Sequence, residues 1–231
     1  MIPDFGTHLP TFHPSNLPFL RSPIASLKSP HDTHRLSSTS IFFLPIFHPS
    51  NLPFFQSPIA WGALAKKAFR PSPYHKREGE VVAFARAFPE HTQREGFRFV
   101  AASESDSDCI LGFAYGYTTH AGQWWNDSVA NALKSQIAEQ WLLYTFQLAE
   151  IAVRPKDQGH GIGGRLHDHL LNGLPHRRAV LSTLATETVA YRWYHKRGWV
   201  ILLDDYSFPG VTRSYRIMGL NLETWGSDFK D

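Results

Sequence analysis

Hydrophobic and polar positions along the chain change character near residue 58. Beyond it, apolar residues recur with periods that mark discrete elements. Residues 97–102 and 109–117 alternate or run apolar on either side of the Ser/Asp-rich turn 103–108, which predicts a hairpin. Trp125, Val129, Leu133, Ile137 and Trp141 recur every four residues and predict one long helix within 120–146, with Asn126 or Asp127 to cap its start. A strand is expected over 146–153. A helix follows over 163–174, with Leu166, Leu170, Leu171 and Leu174 on one face. Residues 179–186 read as a strand, and 188–197 as a helix closed by Gly198. Two last strands, 199–206 and 213–222, meet at the turn signal Pro209-Gly210. Upstream, the Ala-rich stretch 59–69 and the stretch 78–88 read as helices. From residue 58 the order is α-α-β-β-α-β-α-β-α-β-β, an α/β fold with a sheet of mixed strand direction.

The first 57 residues follow no such period. The first 60 hold ten of the chain's 16 prolines and only two acidic residues, Asp4 and Asp32. Within them the segment 9–26 recurs 35 residues later as 44–61, with fourteen of eighteen aligned positions identical. Proline at this density removes backbone donors and favours extended or irregular chain. Two such copies cannot stack as a solenoid. The expectation is a duplicated Pro/Ser/His-rich tail, largely disordered, over 1–57, and one folded domain over 58–225. A docking peptide, or a metal site on His13 and His48, is the functional alternative for the tail. The first strand of the domain is not obvious, and the segment 40–47 could serve.

Composition narrows the function. The 231 residues carry a net charge of only +3, and no Lys/Arg run interleaved with aromatics supports nucleic-acid binding. Cys109 is the single cysteine, so an internal disulfide is excluded, and its apolar neighbours favour a packed strand residue. No apolar stretch approaches the roughly 18–20 residues of a membrane span. A cytoplasmic location follows by default, with no metal site expected.

The chemistry concentrates in residues 150–166. An apolar strand there meets a Pro-broken turn, a glycine-rich loop and the first turn of a helix. Free backbone N–H groups and the positive end of a helix dipole suit a phosphate or pyrophosphate. Gly159-x-Gly161-x-x-Gly164 matches the dinucleotide fingerprint, with Glu187 placed 23 residues on as a ribose ligand. That turn should follow its strand directly, whereas residues 154–158 intervene, and only 67 residues remain for further βα units. The other frame is Gln158-x-x-Gly161-x-Gly163 after a strand ending Val153-Arg154-Pro155. Together with Ala190-Tyr191-Arg192-Trp193-Tyr194-His195-Lys196-Arg197-Gly198-Trp199, it resembles the acetyl-CoA site of the GNAT superfamily of N-acetyltransferases, over roughly residues 58–222.

The resemblance implies a mixed, mostly antiparallel central sheet flanked by helices, and acetyl transfer from acetyl-CoA to an amine of a small molecule or peptide in a ternary complex. It implies that backbone groups of Ile151, Ala152 and Val153 pair with the pantetheine arm. The N–H groups of Gln158, Gly159, His160, Gly161, Ile162, Gly163 and Gly164 would cradle the pyrophosphate, with His160 and Arg165 adding charge. Tyr194 would protonate the departing thiolate, and Glu150 would act as the base or bind a cationic acceptor. For His160 an exposed loop role, for Tyr194 simple packing, and for Glu150 an ion pair with Arg154 or Lys156 remain open. Residues 116–127, with Trp124 and Trp125, and 206–215 are the expected acceptor-pocket segments, with simple anchoring of the long helix the equal alternative for Trp124 and Trp125. A non-catalytic CoA-binding module on the same fold is the other reading, and a homodimer is allowed but not required. The superfamily's helix around Tyr194 often starts with Asn, where Glu187 stands here.

Overall fold

A computed structural model of the chain describes residues 41–46 (backbone), 87–104 and 110–225. All belong to the unit Ser38–Asp231. The helix expected over 59–69, most of the one over 78–88, Cys109, and the tail apart from 41–46 lie outside the described residues. Residues 87–91, where the second of those helices ends, are helical.

Among the described residues, seven strands form one sheet in the order β1-β2-β3-β4-β5-β7-β6. They are β1 Ile41–Ile46, β2 Arg98–Glu104, β3 Ile110–Thr119, β4 Thr145–Val153, β5 Arg178–Leu184, β6 Val200–Ser207 and β7 Ser214–Asn221. Every neighbouring pair is antiparallel except β4 and β5. The hairpin β2–β3, the strands β4 and β5 and the final pair β6–β7 fall where their apolar periods predict. The first strand occupies the 40–47 segment, on the N-terminal side of the residue-58 boundary that composition suggested. Its Pro45 is tolerated because β1 is an edge strand. The second copy is preceded by Ile41-Phe42-Phe43, the first by Gly6-Thr7-His8, so only the second opens with strand formers.

The long helix expected over 120–146 is instead two, α1 Trp124–Ala132 and α2 Ser135–Leu142, separated by extended residues Leu133 (ψ 153°) and Lys134 (ψ 141°). The period explains the break. At 3.6 residues per turn a repeat of four drifts by about 40° per step, so Trp141 would sit roughly 160° round a straight helix from Trp125. The break returns both halves to the sheet. Trp125, Val129, Leu133 and Leu142 are buried there with Val180 and Ile217, and Ile137 and Trp141 pack against them. The cap is Gln123 rather than Asn126 or Asp127, and Asp127 Oδ1 accepts from the Gly122 N–H at 2.9 Å.

The remaining helices, α3 Ile162–Leu171 and α4 Val189–Lys196, lie against the opposite face. Thr188 caps α4 by accepting the Tyr191 N–H at 3.0 Å, and Gly198 (φ +86°) closes it. The largest cluster joins Leu166, Leu170 and Leu171 of α3 to Val100, Ala114, Phe146, Leu148, Leu181 and Met218 of the sheet. On the second face, Phe99, Phe113, Tyr115, Tyr117 and Ala152 pack under Phe88.

Candidate functional site

The site begins where two strands part. β4 and β5 are in register only at Phe146↔Ala179 and Gln147↔Val180, although both run on for several residues. Beyond Gln147, β4 keeps its ladder with β3 while β5 keeps its ladder with β7. The cause lies in β4 itself. Tyr115 pairs with Glu150 and Gly116 with Leu148, so Ala149 is an extra residue, a bulge that bends the strand. Gly116 permits the tight approach, since a Cβ there would lie 2.3 Å from the Gln147 carbonyl oxygen. The result is a wedge-shaped opening in the sheet. Backbone groups of residues 149–153 border it on one side and those of 181–184 on the other, without a shared ladder.

At the mouth of this opening β4 runs into the glycine loop. A 3-10 turn, Pro155–Asp157, carries the chain over, and the Gln158 side-chain amide donates to the Val153 carbonyl at 3.0 Å, tying the turn to the strand end. Gly159 (φ +80°) and Gly161 (φ +77°) are left-handed, with open space where a Cβ would be. Their need is therefore conformational. Gly161 caps α3 without a side-chain bond, which leaves the N–H groups of Ile162, Gly163 and Gly164 without intrahelical partners. His160 and Arg165 are exposed beside them. Ile162 is buried in the core and anchors the first turn.

The two sequence motifs are joined by one side chain. Arg197, at the end of α4, pairs with Asp168 and lies 3.4 Å from the Gly164 carbonyl oxygen, with its guanidinium 4.9 Å over the Trp193 ring. Gly164 is small where Arg197 passes: a Cβ would meet Nη1 at 3.3 Å. Beneath this clamp His167 is wholly buried between Trp193, Trp199 and Trp225. The periodicity around Leu166 and Leu170 gave no sign of that cage.

Glu150 and Tyr194 sit in different surroundings. Glu150, partly buried, shares the second face of β4 with Ala152 and faces Tyr115 across the ladder. The Tyr115 hydroxyl lies 3.1 Å from His91 Nδ1. Burial first, then the Glu150 charge, holds the Tyr115 phenol well above its ordinary pKa, so it stays protonated. Burial also brings His91 down to about 4, aided by Arg94. Arg94 itself lies 4.5 Å over the Tyr117 ring. Tyr194 is in the first cluster, 7% exposed, with its ring 5.7 Å from that of Trp199. Arg154, an alternative partner for Glu150, pairs with Asp157 at 2.6 Å.

The two segments expected to form an acceptor pocket do meet. Trp124 is exposed and its ring lies 5.2 Å from that of Phe208, while the Tyr206 hydroxyl donates to the Ser128 carbonyl at 2.9 Å. Trp125 is buried with Val180 and Ile217, and its indole N–H reaches Ser182 on β5 at 3.4 Å. Two buried polar atoms at the opening escaped the sequence reading, Gln147 Oε1 and Thr183 Oγ1, and neither has a hydrogen-bond partner. Gln147 was visible only as a polar residue between the apolar Phe146 and Leu148. Among the described residues no group of His, Cys, Asp and Glu is placed to hold a metal ion, and no helix is long and apolar enough to cross a membrane.

Comparison with known proteins bears on this geometry. The family model described as "Acetyltransferase (GNAT) family" matches residues 43–199. The chain is 34% identical over 131 residues to the GCN5-like protein acetyltransferase Rv2170 of Mycobacterium tuberculosis, covering 53% of this chain and 63% of that protein. The chain thus spans less than two thirds of the length of that relative. Among solved structures, a GNAT-family protein from Desulfovibrio desulfuricans superposes with a TM-score of 0.53 at 18% identity, over 79% of this chain and 99% of that one. PH1933 of Pyrococcus horikoshii does so with a TM-score of 0.52 at 16% identity, over 79% and 98%. These two establish likeness of fold.

Proposed function

The chain belongs to the acetyltransferase (GNAT) family, whose members transfer an acyl group from acyl-CoA, and from that premise we propose that it acetylates an amine of a small molecule or peptide. The observation that carries this reading is the parting of β4 and β5 beyond Gln147↔Val180, at the strand that leads into the Gly159–Gly164 loop. A slender arm can enter that opening and pair with backbone of Ile151, Ala152 and Val153, as an added strand would. The N–H groups at the start of α3 suit the pyrophosphate. Binding there needs no special side chains, which fits the apolar composition of β4. The transferase domain in this reading takes in β1 and runs to about residue 225.

In the proposed reaction the neutral amine attacks the thioester carbonyl carbon. The C–N bond forms as the C–S bond breaks. The Glu150 carboxylate takes the amine proton, directly or through a water, and Tyr194 supplies a proton to the departing thiolate. Backbone N–H groups of β4 face the developing oxyanion. Much of the rate comes from holding amine and thioester together in the opening.

The burial of Tyr194 favours a second reading, in which Tyr194 only packs and the domain binds CoA without transfer. Thiol release from acetyl-CoA over a panel of amines, with Glu150→Gln and Tyr194→Phe beside the wild type, separates the two. Binding of CoA with no amine acetylated, and with neither variant altering anything, overturns the enzyme.

A further inference from the structure

Gln147 stands at the closed end of the opening between β4 and β5. It is the last β4 residue in register with β5, opposite Val180, and its other neighbour in register is Tyr117 of β3. Register partners share a face, so Gln147 lies on the Tyr115/Tyr117 side, the side of Glu150. Only 6% of the residue is exposed, yet its Oε1 has no hydrogen-bond partner. A buried carbonyl left unpaired is unfavourable in the free protein, and an apolar side chain of similar shape would avoid that cost. Nothing in the packing of Phe146 or Leu148, which face the opposite cluster, requires an amide here.

We propose that Gln147 is a specificity residue of the acceptor site, and that its side-chain carbonyl accepts a hydrogen bond from a second N–H or O–H donor of the acceptor. This inference rests on the reading of Glu150 as the group that receives the amine proton. Gln147 and Glu150 lie on one face of one strand and, across the bulge, face Tyr117 and Tyr115, which are two residues apart on β3, a separation on the order of 7 Å. The acceptor class is then an elongated amine with a second donor set back from the reacting nitrogen by a spacer of about that length. A simple alkylamine of equal length leaves the carbonyl unpaired and loses the selectivity that a polar site gives against an analogue lacking the donor. Thr183 Oγ1 is the counterpart on β5. Its neighbours Ala179 and Leu181 at two-residue spacing belong to the α3 side, so the two orphaned atoms line opposite faces of the same opening.

The test compares 1,5-diaminopentane with n-pentylamine as acceptors for the wild type, Glu150→Gln and Gln147→Leu, and measures the melting temperature of each protein. The expected result is a kcat/KM preference for the diamine of roughly tenfold or more in the wild type, about one good hydrogen bond. Gln147→Leu removes that preference through KM of the diamine, leaves KM for acetyl-CoA unchanged, and keeps or raises the melting temperature. Equal use of both amines by the wild type, or a preference that survives Gln147→Leu, overturns the inference while leaving amine acetylation intact. If neither amine is acetylated, the melting temperature decides. A fall in Gln147→Leu shows that the amide is satisfied within the free protein and overturns the inference. An unchanged or higher value supports the unpaired carbonyl and places the failure with the proposed reaction.

Discussion

The indole N–H of Trp199 donates to Nε2 of His167 over 3.0 Å, in a position closed to solvent. An indole nitrogen only donates, so Nε2 accepts and carries no proton; of the two groups at Nδ1, Asp168 Oδ1 at 3.0 Å takes the single ring proton as acceptor, and the Arg197 Nε at 3.3 Å is the longer contact. His167 is thereby held neutral. Burial first, and then the neighbouring Arg197 charge, push its pKa below 6.5 against the pull of Asp168. In the unfolded chain it regains an ordinary value near 6.5. Below that value the unfolded chain binds more protons than the folded one, so stability is fully present above pH 6.5 and falls as pH drops. His91, brought down to about 4, acts in the same sense between 6.5 and 4. Urea midpoints should therefore decline from pH 7.5 to pH 5. His167→Gln, less stable at pH 7.5, should show a shallower decline, and an unaltered slope would remove His167 from this account.

Glu150→Gln should lower kcat by roughly 10²–10⁴-fold if the carboxylate takes a proton in the transition state. The KM for acetyl-CoA should not change, because the side chain shares the second face with Tyr115 while the cofactor loop starts from the strand end. Steady-state thiol release, with acetyl-CoA varied at saturating amine, reads both constants.

Gly161→Ala should weaken CoA binding with little change in folded packing. The space for a methyl group is open, but the φ of +77° is left-handed. That conformation disfavours a side chain by about 1–2 kcal/mol, which is roughly a 5- to 30-fold rise in Kd if the bound loop keeps its shape. Calorimetric titration with CoA measures it, and the same variant at Gly163, which lacks the positive φ, should bind nearly as the wild type does.

Gly116→Ala should damage the fold rather than the chemistry alone. Its Cβ would lie 2.3 Å from the Gln147 carbonyl oxygen and 2.5 Å from the Phe146 ring. Overpacking of this kind costs about 1–3 kcal/mol or more, and relief would require the β3–β4 ladder to shift at the bulge. A lowered denaturation midpoint, with activity lost in proportion at matched folded fraction or worse, is the expected outcome.

Periodicity revealed most elements because each buries one face, and burial leaves its period in the sequence. The strand β4 and the helix α3 were legible for that reason, and the loop between them through its glycines. The break at Leu133–Lys134 was not, since apolar spacing by fours looks continuous along a string and drifts only on a helix. The bulge at Ala149 was also hidden. Gln-Leu-Ala-Glu-Ile-Ala reads as ordinary strand, and the extra residue shows only against the register of β3. The roles of Gln147 and Thr183 follow from the opening that this bulge creates, so they could not be read before the ladder was known. His167 escaped for a different reason. Its partners Trp199 and Arg197 lie some thirty residues further on, and no spacing rule links them.

The two-pair ladder between β4 and β5 has a consequence for assembly. The strands on either side of it are also the two halves of the described sequence: β1 to β4 precede α3, and β5 to β7 follow it. A nascent chain can thus finish one half-sheet before the other has left the ribosome. The seam between them is then stitched by α3, by Arg197, by the packing of α1 and α2 against β5 and β7, and by only two residue pairs of the β4–β5 ladder. Whatever occupies the wedge touches both halves and acts as mortar in that seam.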